Sequence, residues 1–216
     1  MDKIINRNHY FTYSSLLSFQ RNTYKNKIFL FIKKVSKEYP GFSKWYNHLF
    51  EMDDKLCNER EIIICENFNL IVGIIILKRT KEEQKVCTLR VDERFQHQGI
   101  GRCLMEMGFE WLENEKPLIT LRESKRKQFE SLFLYYGFTL EQSRKNYYRL
   151  FNTELVYNGI LPEKKILFKK FEFLNPYDVW QKFIEMPKNE IYDFWKWYID
   201  ELSKEEPKNT IVYGCK

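Results

Sequence analysis

Histidine and cysteine are scarce in this 216-residue sequence, at three and five, and neither type clusters. His9, His48 and His97 are too scattered to share a metal ion, and no metal is expected. Cys57, Cys65, Cys87, Cys103 and Cys215 are odd in number and contain no Cys-x-x-Cys pair. That argues against a disulfide framework or a zinc knuckle and for buried thiols in a reducing cytoplasm. Long apolar runs are missing as well. The longest, Leu70–Leu77, spans eight residues, against roughly 18 for a membrane-crossing helix. The sequence shows no basic-then-apolar leader, internal repeat, low-complexity tract or Gly/Ser linker.

Apolar residues make up 44% and aromatic residues 17% of the chain, which excludes disorder as its main state. A chain of this length buries something like 70% of its unfolded surface, enough for one solid core. The net charge of +6 is uneven: residues 1–150 carry +7 and residues 151–216 carry −1. Basic residues concentrate in 116–149, among them Arg122, Lys125, Arg126 and Lys127. Such a stretch is either a solvated helix face or an attractor of anions.

The most informative passage is Gln96-His97-Gln98-Gly99-Ile100-Gly101. Val86–Val91 before it is rich in β-formers. After it, Ile100, Leu104, Met107, Phe109, Trp111 and Leu112 recur at roughly helical spacing. Two glycines one residue apart permit a tight turn and a close approach of bare backbone to a ligand. The unpaired N–H groups of the new helix, with its dipole, then favour an anion there. Strand, glycine turn and helix start together make a diphosphate cradle.

The Walker pattern needs Gly-Lys-Ser/Thr, but Arg102-Cys103 follows Gly101. A dinucleotide fingerprint needs a third glycine where Leu104 stands. What remains resembles the acetyl-CoA signature of the GNAT superfamily of N-acetyltransferases, Gln/Arg-x-x-Gly-x-Gly/Ala. Val91-Asp92-Glu93-Arg94-Phe95 is similar to that family's strand end and acidic turn. The resemblance covers about residues 10–151, with its specific motifs at 91–102 and 129–138.

The order of elements agrees. Glu61–Phe68 and Leu70–Arg79 read as a hairpin around Asn67–Asn69, and 86–91 as the third strand of a meander. Helix 100–114, strand 117–121, a helix from Ser124 to Tyr136 ended by Gly137, and strands 138–140 and 147–151 follow. The resemblance implies N-terminal helices near 24–37 and 42–52. The fold class expected is α+β: a GNAT-like acyl-CoA N-acyltransferase fold with a central mixed, mostly antiparallel sheet flanked by helices. The expected organisation is a GNAT domain over 1–151 and a strand/helix extension over 152–216, packed on the core or a partner subunit. In that extension, Glu154–Tyr157 reads as a strand, and Asp178–Met186 and Glu190–Ser203 as helices.

For site residues, the resemblance implies the following. The Val91 backbone N–H donates to the oxyanion, and Leu89, Arg90 and Val91 run beside the pantetheine arm. Gln96, His97, Gln98, Gly99, Ile100, Gly101 and Arg102 surround the diphosphate. The basic stretch at 116–149 would neutralise the 3′-phosphate of coenzyme A. The family motif Tyr-x-x-x-Gly-Phe, aligned on Gly137-Phe138, puts Phe133 where a tyrosine acid is usual, beside the cofactor but with no proton to give. Tyr136, one helical turn later, is the alternative acid, or an aromatic packed on the sheet. Glu123, at the end of the next strand, is the candidate base, or else a surface carboxylate. A water relay or an already neutral amine needs neither. Tyr10, Phe11, Tyr13, Phe42, Trp45 and Tyr46 form either an acceptor wall or ordinary core.

The resulting expectation is a cytoplasmic N-acetyltransferase moving an acetyl group from acetyl-CoA to a primary amine by direct attack, without metal. The acceptor is a small molecule or a protein amine, a homodimer is possible, and no membrane is involved. Two alternatives stand beside it. Phe133 suggests a non-catalytic acyl-CoA-binding or sensing module. The basic stretch suggests an acceptor of aminoacyl-tRNA type, although no aromatic-plus-basic repeat accompanies it.

Overall fold

The computed structural model describes residues 3–5, 7–33, 42–50, 55–145, 147–148 and 152–162. The strands are β1 (Lys3–Ile5), β2 (Asn8–Thr12), β3 (Arg60–Asn67), β4 (Leu70–Arg79), β5 (Gln84–Val91), β6 (Leu118–Arg122), β7 (Leu140–Lys145) and β8 (Thr153–Tyr157). They form one sheet in the order β1-β2-β3-β4-β5-β6-β8-β7. The helices are α1 (Ser18–Ile32), α2 (Phe42–Asn47), α3 (Ile100–Leu112) and α4 (Arg126–Tyr135). Every strand pair is antiparallel except β5–β6, so the sheet is mixed and mostly antiparallel, as expected.

Alternation along β3 and β4 divides the core in two. Ile63, Cys65, Ile75 and Leu77 pack with Leu104, Met105 and Leu112 of α3. Ile62, Ile64, Ile74 and Ile76 point to the other face, against Ile28 and Ile32 of α1 and Phe42 and Tyr46 of α2. Close seating of α3 depends on Gly73, where a Cβ would lie 2.8 Å from Ile100 Cγ2 and 3.0 Å from Leu104 Cδ1. Two buried carboxylates belong to β3. Glu61 accepts bonds from the Ser14 hydroxyl and the Ile62 N–H, and Glu66 lies 3.8 Å from Lys27 Nζ.

The structure departs from the sequence reading at both ends. The first helix is Ser18–Ile32, not 24–37, and residues 34–41 lie outside the described ones. Its apolar residues are not confined to one side, since Phe19 and Leu30 are exposed, so periodicity marks it poorly. The second helix stops at Asn47. Ahead of α1, β2 pairs with β3 and carries Tyr10 and Phe11 into the core. Tyr13, Phe42 and Tyr46 are buried too, so these aromatics are packing and not an acceptor wall.

At the other end, the strand expected at 138–140 is β7, Leu140–Lys145. Tyr147 and Tyr148 form a bend, and residues 149–151 lie outside the described ones. Glu154–Tyr157 is a strand as read, but it inserts between β6 and β7, so the sheet continues past residue 151. One compact unit runs to Leu161 and a second begins at Pro162. The helices expected at 178–186 and 190–203 lie outside the described residues. No helix among the described residues is long and apolar enough to cross a membrane.

Candidate functional site

Strands β5 and β6 are parallel and pair only at Lys85↔Leu118 and Val86↔Ile119. Beyond Val86 they diverge, and a cleft of about 860 Å³ opens between them. Antiparallel ladders alternate the side on which each residue bonds its neighbour. Asp92 N–H donates to the Val72 carbonyl at 2.8 Å, so the residue opposite Gly73, Val91, turns its N–H and C=O away from β4 and toward the gap. The Val91 carbonyl indeed accepts from Gln96 Nε2 at 3.2 Å. By the same alternation Leu89 also faces the gap, giving two backbone donors along one wall.

Where β5 ends, a 3-10 turn at Glu93–Phe95 reverses the chain. Asp92 fixes it by accepting the Arg94 N–H and pairing with the Arg94 guanidinium at 3.0 Å, contacts that hold the Asp92 carboxyl below its ordinary range. His97 then adopts φ 60° and Gly99 φ 83°, both left-handed. This region is rarely occupied by a side-chain-bearing residue away from functional or turn positions. Gly99 is the N-cap of α3 and supplies no capping side chain. The first bond of the helix runs from the Cys103 N–H to the Gly99 carbonyl at 3.0 Å. The N–H groups of Ile100, Gly101 and Arg102 are therefore helix-start donors. A Cβ on Gly99 would meet no atom within 4 Å, and one on Gly101 only Val91 Cγ2 at 3.8 Å, so bare backbone borders open space.

Of the expected cofactor contacts, Leu89, Arg90, Val91, Gln96, His97, Gly99, Gly101, Arg102 and Phe133 line the cleft. Ile100 is turned into the core at 1% exposure, and the Gln98 side chain folds back onto the Arg94 carbonyl at 3.2 Å. Neither side chain is among the described residues that line the cleft. Arg122 and Lys125 of the basic stretch line the opposite wall, with Phe129 and Tyr135 of α4. The helix start, the left-handed glycine and these cations fit a diphosphate carrier with an additional phosphate.

The two side chains expected to move protons are placed elsewhere. Glu123 is exposed at the start of a 3-10 turn and is not among the cleft-lining residues. Tyr136 follows the last residue of α4, where the backbone leaves the helix, so its ring turns to α3 and not into the cleft. It meets Phe109 edge-on at 4.9 Å, and its hydroxyl donates to the Arg102 carbonyl at 3.3 Å. Burial and the nearby Glu106 push this phenol up, away from easy ionisation. Phe133 is buried against Tyr157 at 4.6 Å. Among the described lining residues the one phenol is Tyr135, its ring 4.0 Å beneath the Arg102 guanidinium. Sequence reasoning passed over it because helix phase was extended one residue too far.

Cys87, on β5, also lines the cleft. Desolvation pushes its thiol up despite Arg60, whose Nη1 lies 3.3 Å from the sulfur.

No curated protein matches the chain. Among solved structures, the ribosomal-protein-S18-alanine N-acetyltransferase from Escherichia coli is 16% identical at a TM-score of 0.47, over 72% of this chain and 97% of that one. A GNAT family acetyltransferase from Elizabethkingia anophelis, with acetyl-CoA bound, is 16% identical at 0.47, over 70% and 98%. An acetyl coenzyme A complex from Bacillus anthracis is 16% identical at 0.41; the match takes in 46% of this chain and spans 62% of that protein's length. The family model described as "Acetyltransferase (GNAT) domain" matches residues 35–149, more than half of the sequence. The chain belongs to the GNAT acetyltransferase family.

Proposed function

We propose that the protein is an acetyl-CoA-dependent N-acetyltransferase that acts on a primary amine by direct attack. The observation that carries this reading is the uncapped start of α3 at left-handed Gly99, placed at the mouth of the β5–β6 divergence. The N–H groups of Gly99, Ile100, Gly101 and Arg102 would hold the diphosphate, with Arg122 and Lys125 balancing its charge. Acetyl-CoA supplies an activated thioester. The Val91 N–H, aimed into the gap, stabilises charge developing on the carbonyl oxygen. The amine nitrogen bonds to the acetyl carbon as the C–S bond breaks and coenzyme A leaves as its thiolate. The amine proton passes to water and on to that sulfur, since the one carboxylate among the described lining residues is Glu93, exposed at the cleft mouth. The free thiols of Cys57, Cys65, Cys87 and Cys103 accord with a reducing compartment, the cytoplasm.

Calorimetric titration with acetyl-CoA tests the cradle. Wild type should bind, and Gly99→Glu should lose binding while keeping its circular dichroism spectrum. The substitution sets a carboxylate against the diphosphate and adds roughly 1–2 kcal/mol of left-handed strain. Absence of binding to folded wild type would overturn the reading. A second reading, a non-catalytic acyl-CoA sensor, is favoured by Phe133 and by the engagement of the Tyr136 hydroxyl with α3. Tight binding without thiol release across a panel of amines would select it.

A further inference from the structure

The cleft is lined by β5 side chains from both faces of the sheet, and those on the α1 face have their own chemistry. Leu89 and Val91 pack their side chains toward α3, the face that carries the cradle. Arg90, between them, projects to the opposite face, where its guanidinium lies 5.5 Å from the Phe31 ring of α1. It lines the cleft and is half-buried, yet its Nε is shut off from solvent and has no hydrogen-bond partner among the described residues. The neighbouring acid, Asp92, is taken by Arg94 at 3.0 Å. Among the described residues that line the cleft, the one carboxylate is Glu93, beyond the strand end. Arg60 adds a second cation near this face, beside Cys87.

We infer that Arg90 is a specificity residue: the acceptor amine carries a carboxylate, which the Arg90 guanidinium binds on the α1 face of the cleft. This rests on the reading of the α3 face as the coenzyme site, because the acyl end then emerges beside Arg90. The guanidinium as a whole is only half-buried and lines the cleft, so its outer N–H groups can meet a carboxylate entering there in a charge-assisted bond. A guanidinium stacked on an aromatic ring still presents its edge for a two-point bond to a carboxylate.

The test uses binding alone. Coenzyme A is joined through its sulfur, by a –CH2–CO– link, to the nitrogen of glycine, β-alanine or 4-aminobutyrate. Each conjugate is matched by one made from the corresponding amide, and all are titrated into the full chain by calorimetry. In at least one pair, the carboxylate conjugate should bind wild type tenfold or more tightly than the amide conjugate. Arg90→Gln should erase that ratio and Arg90→Lys should restore part of it, each ratio being read within one protein so that any change in affinity for coenzyme A itself cancels. If coenzyme A binds wild type but every pair agrees within threefold, the Arg90 assignment is overturned; a ratio that survives Arg90→Gln overturns it too. If wild type binds neither conjugates nor coenzyme A, the coenzyme reading fails and takes this one with it.

Discussion

At position 61 a carboxyl group is only 3% exposed, held by the Ser14 hydroxyl, the Ser14 N–H and the Ile62 N–H. Burial raises its pKa, and the three donors only partly offset this. A carboxyl whose folded pKa exceeds its unfolded value favours the fold while protonated. That contribution is full below the unfolded pKa, near 4.3, and is lost as pH rises through the folded one. Glu61→Gln, which keeps an acceptor for the backbone donors without the charge, should flatten the stability profile over this window. Urea midpoints measured at intervals from pH 4 upward should fall in wild type and stay level in the variant. Equal slopes would rule out Glu61 as the source. The residue scale also shows how a sequence becomes misleading. Gly99 was legible because only glycine freely takes the backbone angle that the turn demands. Tyr135 and Tyr136 were not, because one step past a helix end the 3.6-residue period stops predicting direction.

Among the elements, legibility followed burial pattern. β3, β4 and β5 are apolar runs with turn residues between them, and α3 has one apolar face, so each was visible. β7 reads Leu-Glu-Gln-Ser-Arg-Lys and is mostly exposed at the sheet edge; its half-buried positions, Gln142 and Arg144, are polar, so no apolar alternation marks it. β2 is short, and its aromatics carried no period of their own. The contact between α3 and β4 rests on a close approach that can be probed directly. In Gly73→Ala the new methyl would come 2.8 Å from Ile100 Cγ2, on a branched side chain that has little room to yield. Overpacking of this kind costs about 1–3 kcal/mol, more than alanine returns through reduced chain entropy. The denaturant midpoint should drop with an unchanged m-value. A midpoint at or above wild type would mean that α3 shifts freely.

For the whole molecule, the joint between β5 and β6 governs behaviour. Five strands, β1 to β5, stand on one side of it and three, β6, β8 and β7, on the other, and two register pairs at one end hold them together. A sheet so joined has two wings that share a short ladder near Val86 and none toward Val91, with one core packed against both. Whatever bridges the open end supplies rungs that the ladder itself does not provide. Amide deuterium exchange should report this, slowing at Leu89 and Val91 when coenzyme A is added and changing little at β3. Uniform slowing across all strands would instead mean that the two wings already move as a single plate.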